Sequence, residues 1–250
     1  MDISKKWDDR HTCRLFSSTQ RDIKARHIDH MKSVISNMPS QCGIRSNFVL
    51  YLGESKQHLK IRKFLLDYCY WRMSINSNTK GPDSENQPIK EHMIPILQAP
   101  AIFCVIRTDE PYCNPERNKV EDDISTLAIK EEGIYTGIIM SELMHLGYHI
   151  GTFGCTDGWH NNEEGNKKYF KKLLLENYSE ELDSILGKYK AWDELEYFPC
   201  CSVAFGPELD NDPQMVNKPG IAKRFAQWKN YYYVPNRKNP MPVNISIIKN

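Results

Sequence analysis

Three stretches of this sequence combine residue types that can bind a ligand. The first is Arg10-His11-Thr12-Cys13-Arg14-Leu15-Phe16. In an extended segment successive side chains alternate, so Arg10, Thr12 and Arg14 share one side. Two guanidiniums and a hydroxyl facing one way make a clamp for phosphate or carboxylate, because the guanidinium fork matches those anions. The same pattern also describes a solvated basic arm. The second stretch is Met38-Pro39-Ser40-Gln41-Cys42-Gly43-Ile44-Arg45, between a helical and a strand pattern. A sharp turn there would present amides, a hydroxyl and a carboxamide together. That suits a planar polar ligand, and equally a helix cap and turn. The third runs from Leu146 to Gly158 and is punctuated by Gly147, Gly151, Gly154 and Gly158. Glycine lets a backbone approach a ligand closely, or simply turns the chain into a strand. It is not a dinucleotide fingerprint, which follows a strand and opens a helix; here the helix comes first.

Two other chemistries fit less well. His145 and His149 lie four apart, with Cys155 and His160 downstream, but Gly147 breaks the shared helical face and no Glu-x-x-His spacing supports a metal. Cys13 beside His11, or Cys155, lacks a third group to orient a nucleophile. Cys200 and Cys201 are adjacent, which suits neither an ordinary disulfide nor a shared zinc site.

The elements that must carry these stretches follow from periodicity. Ile23, Ile28, Met31, Val34, Ile35 and Met38 predict a helix over 21–38, stopped by Pro39. Residues 47–52 predict a strand ending at Gly53, and 56–73 a mixed-charge helix. Residues 76–88 and 109–122 read as exposed loops. Ala101 to Ile106 is the best strand, apolar on both faces. A long helix covers 124–146, with Leu127, Ile134, Ile138, Met140 and Leu143 as its apolar band. Gly133 and Gly137 lie on one face where a flat element could press close, and Gly147 is the C′ residue. A strand is expected within 149–158, a helix over 163–186 broken near Tyr178, and a strand over 198–206. The whole reads as one α+β domain, residues 1–225, with a basic, aromatic extension at 226–250. That extension is too apolar to dangle, so it should wrap over its own domain or over a second subunit.

Composition limits the classes. The chain has 250 residues, 26% charged and 40% apolar, with 33 Lys+Arg against 32 Asp+Glu. A net charge of +1 gives no bulk attraction to nucleic acid or to an acidic membrane. No 18-residue apolar run predicts a membrane span. Eight cysteines without an apolar leader argue for reduced thiols in a cytoplasmic protein. Mean hydropathy is −0.60, polar for this length, so part of the core is expected to be completed by a partner chain.

The order of the motifs adds what none carries alone. Arg-His-Thr-x-Arg-x-Phe at 10–16 is followed by Pro39-Ser40 after the first helix and by Ala99-Pro100-Ala101-Ile102-Phe103-Cys104-Val105-Ile106. Then come Gly133-Ile134-x-x-Gly137, Leu146-Gly147-Tyr148-His149-Ile150-Gly151-Thr152-Phe153-Gly154, and Ser202-Val203-Ala204-Phe205-Gly206-Pro207. This series resembles the FMN-dependent nitroreductase superfamily across roughly residues 8–225. The resemblance implies a three-layer α+β fold, its mixed or antiparallel sheet flanked by helices, in an interlocked homodimer. Two FMN sites would lie at the subunit interface. By the same resemblance, Arg10, His11, Thr12 and Arg14 would hold the phosphate and ribityl chain. Pro39, Ser40, Gln41 and Gly43 would meet the isoalloxazine from the other subunit. Gly154 and Cys155 would lie near its N5 edge, and Lys218 and Arg224 would return to the phosphate. NADH or NADPH would reduce the flavin, which would then reduce a small electron-poor aromatic or quinone-like substrate. No side chain is assigned as catalytic.

The second loop departs from the common family form. Where that form has Asn and then Gln-Pro-Trp, this chain has Cys42-Gly43-Ile44-Arg45-Ser46-Asn47, one residue shorter. A flavin-binding scaffold without turnover is therefore the alternative. A further one is an interaction module using Lys223, Arg224, Trp228 and Tyr231 to Tyr233.

Overall fold

The apolar strand patterns of the sequence pair with one another. The structure, a computed structural model, describes residues 13, 16–17, 22–40, 45–65, 99–110, 124–154, 164–186 and 194–207. The chain divides into two units, Thr12–Asp212 and Met1–His11 with Pro213–Asn250, and all the described residues belong to the first. Its elements are α1 (Ala25–Ser36), β1 (Asn47–Leu52), α2 (residues 56–65), β2 (Ala101–Thr108), α3 (Ile124–His145), β3 (His149–Gly154), α4 (Glu164–Leu186) and β4 (Tyr197–Gly206). The strands form one sheet in the order β1-β2-β4-β3, every neighbouring pair antiparallel. β2 is central and buried along its whole length, which is why its sequence is apolar without alternation.

Alternation sends β2 residues to two cores. Ile102, Cys104 and Ile106 join Phe48, Leu50 and Leu52 of β1, Ile61 and Leu65 of α2 and Phe170 and Leu174 of α4. Ala101, Phe103 and Val105 join Ile28 and Met31 of α1 and Tyr135, Ile139 and Leu143 of α3. Phe103 stacks on Phe205 of β4 at 5.2 Å, an arrangement worth about 0.5–1.5 kcal/mol beyond the area it buries. The sheet thus has a helix-covered core on each face, within an α+β fold.

The long helix corrects its expected phase. Its buried stripe is Ala128, Glu131, Tyr135, Ile139 and Leu143, whereas Ile134 is 49% exposed. A helix rich in apolar residues all round does not reveal its phase, and the buried stripe contains a carboxylate that pattern reading rejects. Gly133 and Gly137 face open space, with nothing within 4 Å of a Cβ built on either, so no element of the described chain presses there. α1 is shorter than expected, since residues 22–24 are not helical. α4 breaks where expected, at Tyr178, with φ −142° and ψ 24°. The continuation of α2 beyond residue 65, the loops at 76–88 and 111–122 and the extension at 226–250 lie outside the described residues. No described helix is long and apolar enough to cross a membrane.

Candidate functional site

The second stretch is anchored at both ends by one side chain. Met38 is buried, and its N–H donates to Ile35 O at the end of α1. Pro39 then leaves the helix, having no N–H with which to continue it. Arg45, on the far side of the loop, donates from Nη2 back to Met38 O at 2.8 Å and from Nη1 to the Tyr135 hydroxyl at 3.1 Å. That hydroxyl donates to Glu131 Oε1 at 2.8 Å. Glu131 Oε2 accepts from Asn47 Nδ2 at 2.8 Å, and the same amide reaches Ala128 O at 2.9 Å. Glu131 is only 7% exposed, and a carboxylate so buried needs such partners to remain in the core. The chain Arg45–Tyr135–Glu131–Asn47 supplies a cation and two neutral donors.

The other two stretches are joined by main-chain hydrogen bonds. Cys13 N–H donates to Ile150 O of β3 at 2.7 Å, and Ser17 N–H to Pro207 O, just past β4, at 2.9 Å. Cys13 and Phe16 are buried in the core that α2 and α4 cover. Gly206 makes the approach possible: a Cβ there would lie 2.5 Å from Pro100 Cδ and 3.4 Å from the Phe16 ring. One segment of the N-terminal motif therefore touches both the glycine-rich strand and the end of β4.

A Schellman cap delivers α3 into that strand. Gly147 has φ +90°, its N–H reaches Met144 O, and the Tyr148 N–H reaches Leu143 O. Tyr148 then packs edge-on to Phe205 and shares a 2.8 Å hydrogen bond with His27 Nδ1 of α1. Burial pushes the Tyr148 hydroxyl up, against a backbone hydrogen bond from Lys24 that draws it down. Burial and the charges of Arg26, Lys24 and His30 push His27 down. Both shifts favour the uncharged forms of the pair. Nearby, burial pushes the Cys200 thiol far up and the Cys201 thiol up to about 11, so neither is a nucleophile at neutral pH. Cys13, Cys104, Cys200 and Cys201 are in no disulfide. Among the described residues, no three His, Cys, Asp or Glu side chains are grouped to hold a metal ion.

Of the expected site residues, the structure describes Pro39, which is exposed, Ser40, which is half-buried, and Gly154, which closes β3. Arg10, His11, Thr12, Arg14, Gln41, Gly43, Cys155, Lys218 and Arg224 lie outside the described residues. Sequence reading missed Tyr135, Glu131 and Asn47. The one available signal was Glu131 itself, an acid on the apolar side of a long helix.

No protein-family model matches the sequence, and no curated protein is recognisably similar to it. Solved structures are. A BluB-like flavoprotein from Clostridium difficile 630 matches with a TM-score of 0.53 at 14% identity, over 90% of this chain and 97% of its own. A nitroreductase with bound FMN from Bacteroides fragilis NCTC 9343 matches with a TM-score of 0.53 at 11% identity, over 84% and 90%. An FMN-dependent nitroreductase from Clostridium difficile R20291 gives 0.50 at 16% identity, over 84% and 92%.

Proposed function

The chain has a nitroreductase-like fold, and from that premise we propose that it is an FMN-dependent oxidoreductase. The observation that carries the reading is the Cys13 N–H to Ile150 O hydrogen bond, which brings the N-terminal motif onto the glycine-rich strand within this fold. Two of the three stretches that resemble flavin-binding motifs are therefore neighbours, although 137 residues apart in sequence, from Cys13 to Ile150.

The residues present fit such a group in chemistry. In an extended segment Arg10, Thr12 and Arg14 of the N-terminal motif would share one side. Thr12 and Arg14 are assigned to the phosphate, a doubly charged anion that the guanidinium fork suits. Ser40 would supply a hydroxyl to the ring, and the Gly154 backbone would let the flat edge approach. The flavin, when bound, would supply the hydride chemistry, taking electrons from NADH or NADPH and passing them to an electron-poor aromatic or quinone-like acceptor. The protein's part is to bind, orient and exclude water.

We assign a homodimer to the same reading, with three layers per protomer. Ile129, at 53% exposure, Gly133 and Gly137 line the outer side of α3, and a second copy would cover them. A flavin-binding protein without turnover is the second reading. It is favoured by Arg45, which is bound inward to Tyr135 and Met38 where the common family loop offers side chains to its ligand.

The test is a pair of spectra. The purified protein should be yellow with FMN absorption bands, and NADH or NADPH should bleach them under anaerobic conditions. Bound but unbleached flavin would leave the scaffold reading. A protein that takes up no FMN would end both.

A further inference from the structure

Ser40, with Gly154, is assigned above to the flavin ring, and the present inference rests on that reading of Ser40. Met38 O, which opens the loop, is held by Arg45, the residue that closes it. Met38 N–H is already committed to α1. Both polar groups of the residue before Pro39 are thus fixed, and the direction in which Pro39 and Ser40 leave is set by where the Arg45 guanidinium sits. That position is not set by the loop. It is set from α3 by the Tyr135 hydroxyl, itself oriented by Glu131, which Asn47 of β1 holds in turn.

The geometry points to Arg45–Tyr135–Glu131–Asn47 as the positioning device of the flavin-facing loop. It transmits the pose of α3 to the Met38–Pro39–Ser40 backbone, without any of the four residues touching the flavin. Arginine is required by shape. One planar fork serves a carbonyl at 2.8 Å and a hydroxyl at 3.1 Å together, whereas a lysine ammonium presents no rigid pair of donors. Tyrosine is required by its hydroxyl, which accepts from the guanidinium and donates to the carboxylate. Ring volume alone would fill the core but leave Arg45 unguided.

A test needs variants that keep the core packed. Tyr135→Phe retains the ring and removes the relay; Arg45→Lys retains the charge and removes the fork. FMN itself is titrated into full-length apoprotein well below the melting temperature, following both fluorescence and the visible circular dichroism of the bound flavin. Each variant should bind FMN about twofold to tenfold more weakly, the range expected for losing the neutral Ser40 hydrogen bond to the ring, with an altered dichroism band. A double-mutant cycle separates positioning from plain stabilisation. Ser40→Ala should weaken binding in the wild-type background and have a smaller effect in Tyr135→Phe. Wild-type protein that binds no FMN would sink the functional reading itself. Wild-type that binds, with variants of equal affinity and unchanged dichroism, would overturn the positioning role alone. Variants that merely melt earlier, with Ser40→Ala fully additive, would reduce the chain to a structural network and overturn it too.

Discussion

His58 accepts the Gly53 N–H at Nδ1, 2.9 Å away, so only the ring unprotonated at that nitrogen fits. It lies flat against Tyr178 at 6.0 Å, and burial, with the Arg62 charge second, holds its pKa below 6.5. An unfolded chain then binds more protons than the folded one between the two pKa values. Stability from His58 is complete above the unfolded value and is lost as pH falls from about 7 towards the folded one. His58→Gln should flatten that slope; His27, shifted the same way, remains in both proteins, so the difference between their pH 5–8 denaturation curves isolates His58. Equal slopes would show that His58 is not the titrating group. Arg62 is fully buried and donates to the carbonyls of Gly53, Pro100 and Ala99. Arg62→Met should cost about 3 kcal/mol by urea denaturation, because it strands several buried acceptors. On the flavin reading, Arg14→Ala should weaken FMN affinity about tenfold or more in a fluorescence titration. Unchanged affinity would remove the phosphate assignment.

At the level of elements, two glycines differ in what they permit. Gly147 caps α3 at φ +90°, but a Cβ there meets nothing within 4 Å. Gly147→Ala should therefore cost only the left-handed backbone penalty, about 1–2 kcal/mol. Gly206 has no positive φ; its constraint is space, since a Cβ would sit 2.5 and 2.8 Å from Pro100 ring atoms. A proline ring cannot swing aside, so Gly206→Ala must shift β4 from Pro100 and Phe16 and should cost more, about 2–3 kcal/mol or above. Thermal melts of the two variants rank them. The reverse order would mean that the Pro100 segment yields easily. The same contrast bears on what was legible: Gly147 is recognisable as a cap from its place after a helix, whereas Gly206 differs from any strand glycine only through Pro100, 106 residues away.

For the whole molecule, the outer face of α3 is one that the described residues leave uncovered. If a second copy covers Gly133 and Gly137, Gly137→Glu should split the dimer in light scattering at micromolar concentration. The monomer's own packing should be spared, because nothing in the described chain contacts that position. An interface of this permanent kind buries about 2,000 Å² or more, so dissociation should also lower the melting temperature. A wild-type monomer would end the dimer reading, and a Gly137→Glu dimer of unchanged affinity would move the interface elsewhere.

The amino-acid sequence alone determined the elements and the order of the motifs. Strand β2 announces itself by six apolar residues, Ala101 to Ile106, to which the structure adds Arg107 and Thr108, and α3 ends where Gly147 says it must. These are local properties, carried by propensity, sterics and the hydrogen bonds of one turn. Tertiary structure decided the phase of α3 and the support beneath the second loop. Glu131 faces the core with Asn47, 84 residues earlier, donating to it beside Tyr135, and Arg45 finds Tyr135 across 90 residues. A buried charge is acceptable when its partners arrive, and their arrival depends on how β1 packs against α3. No pattern within either segment contains that information.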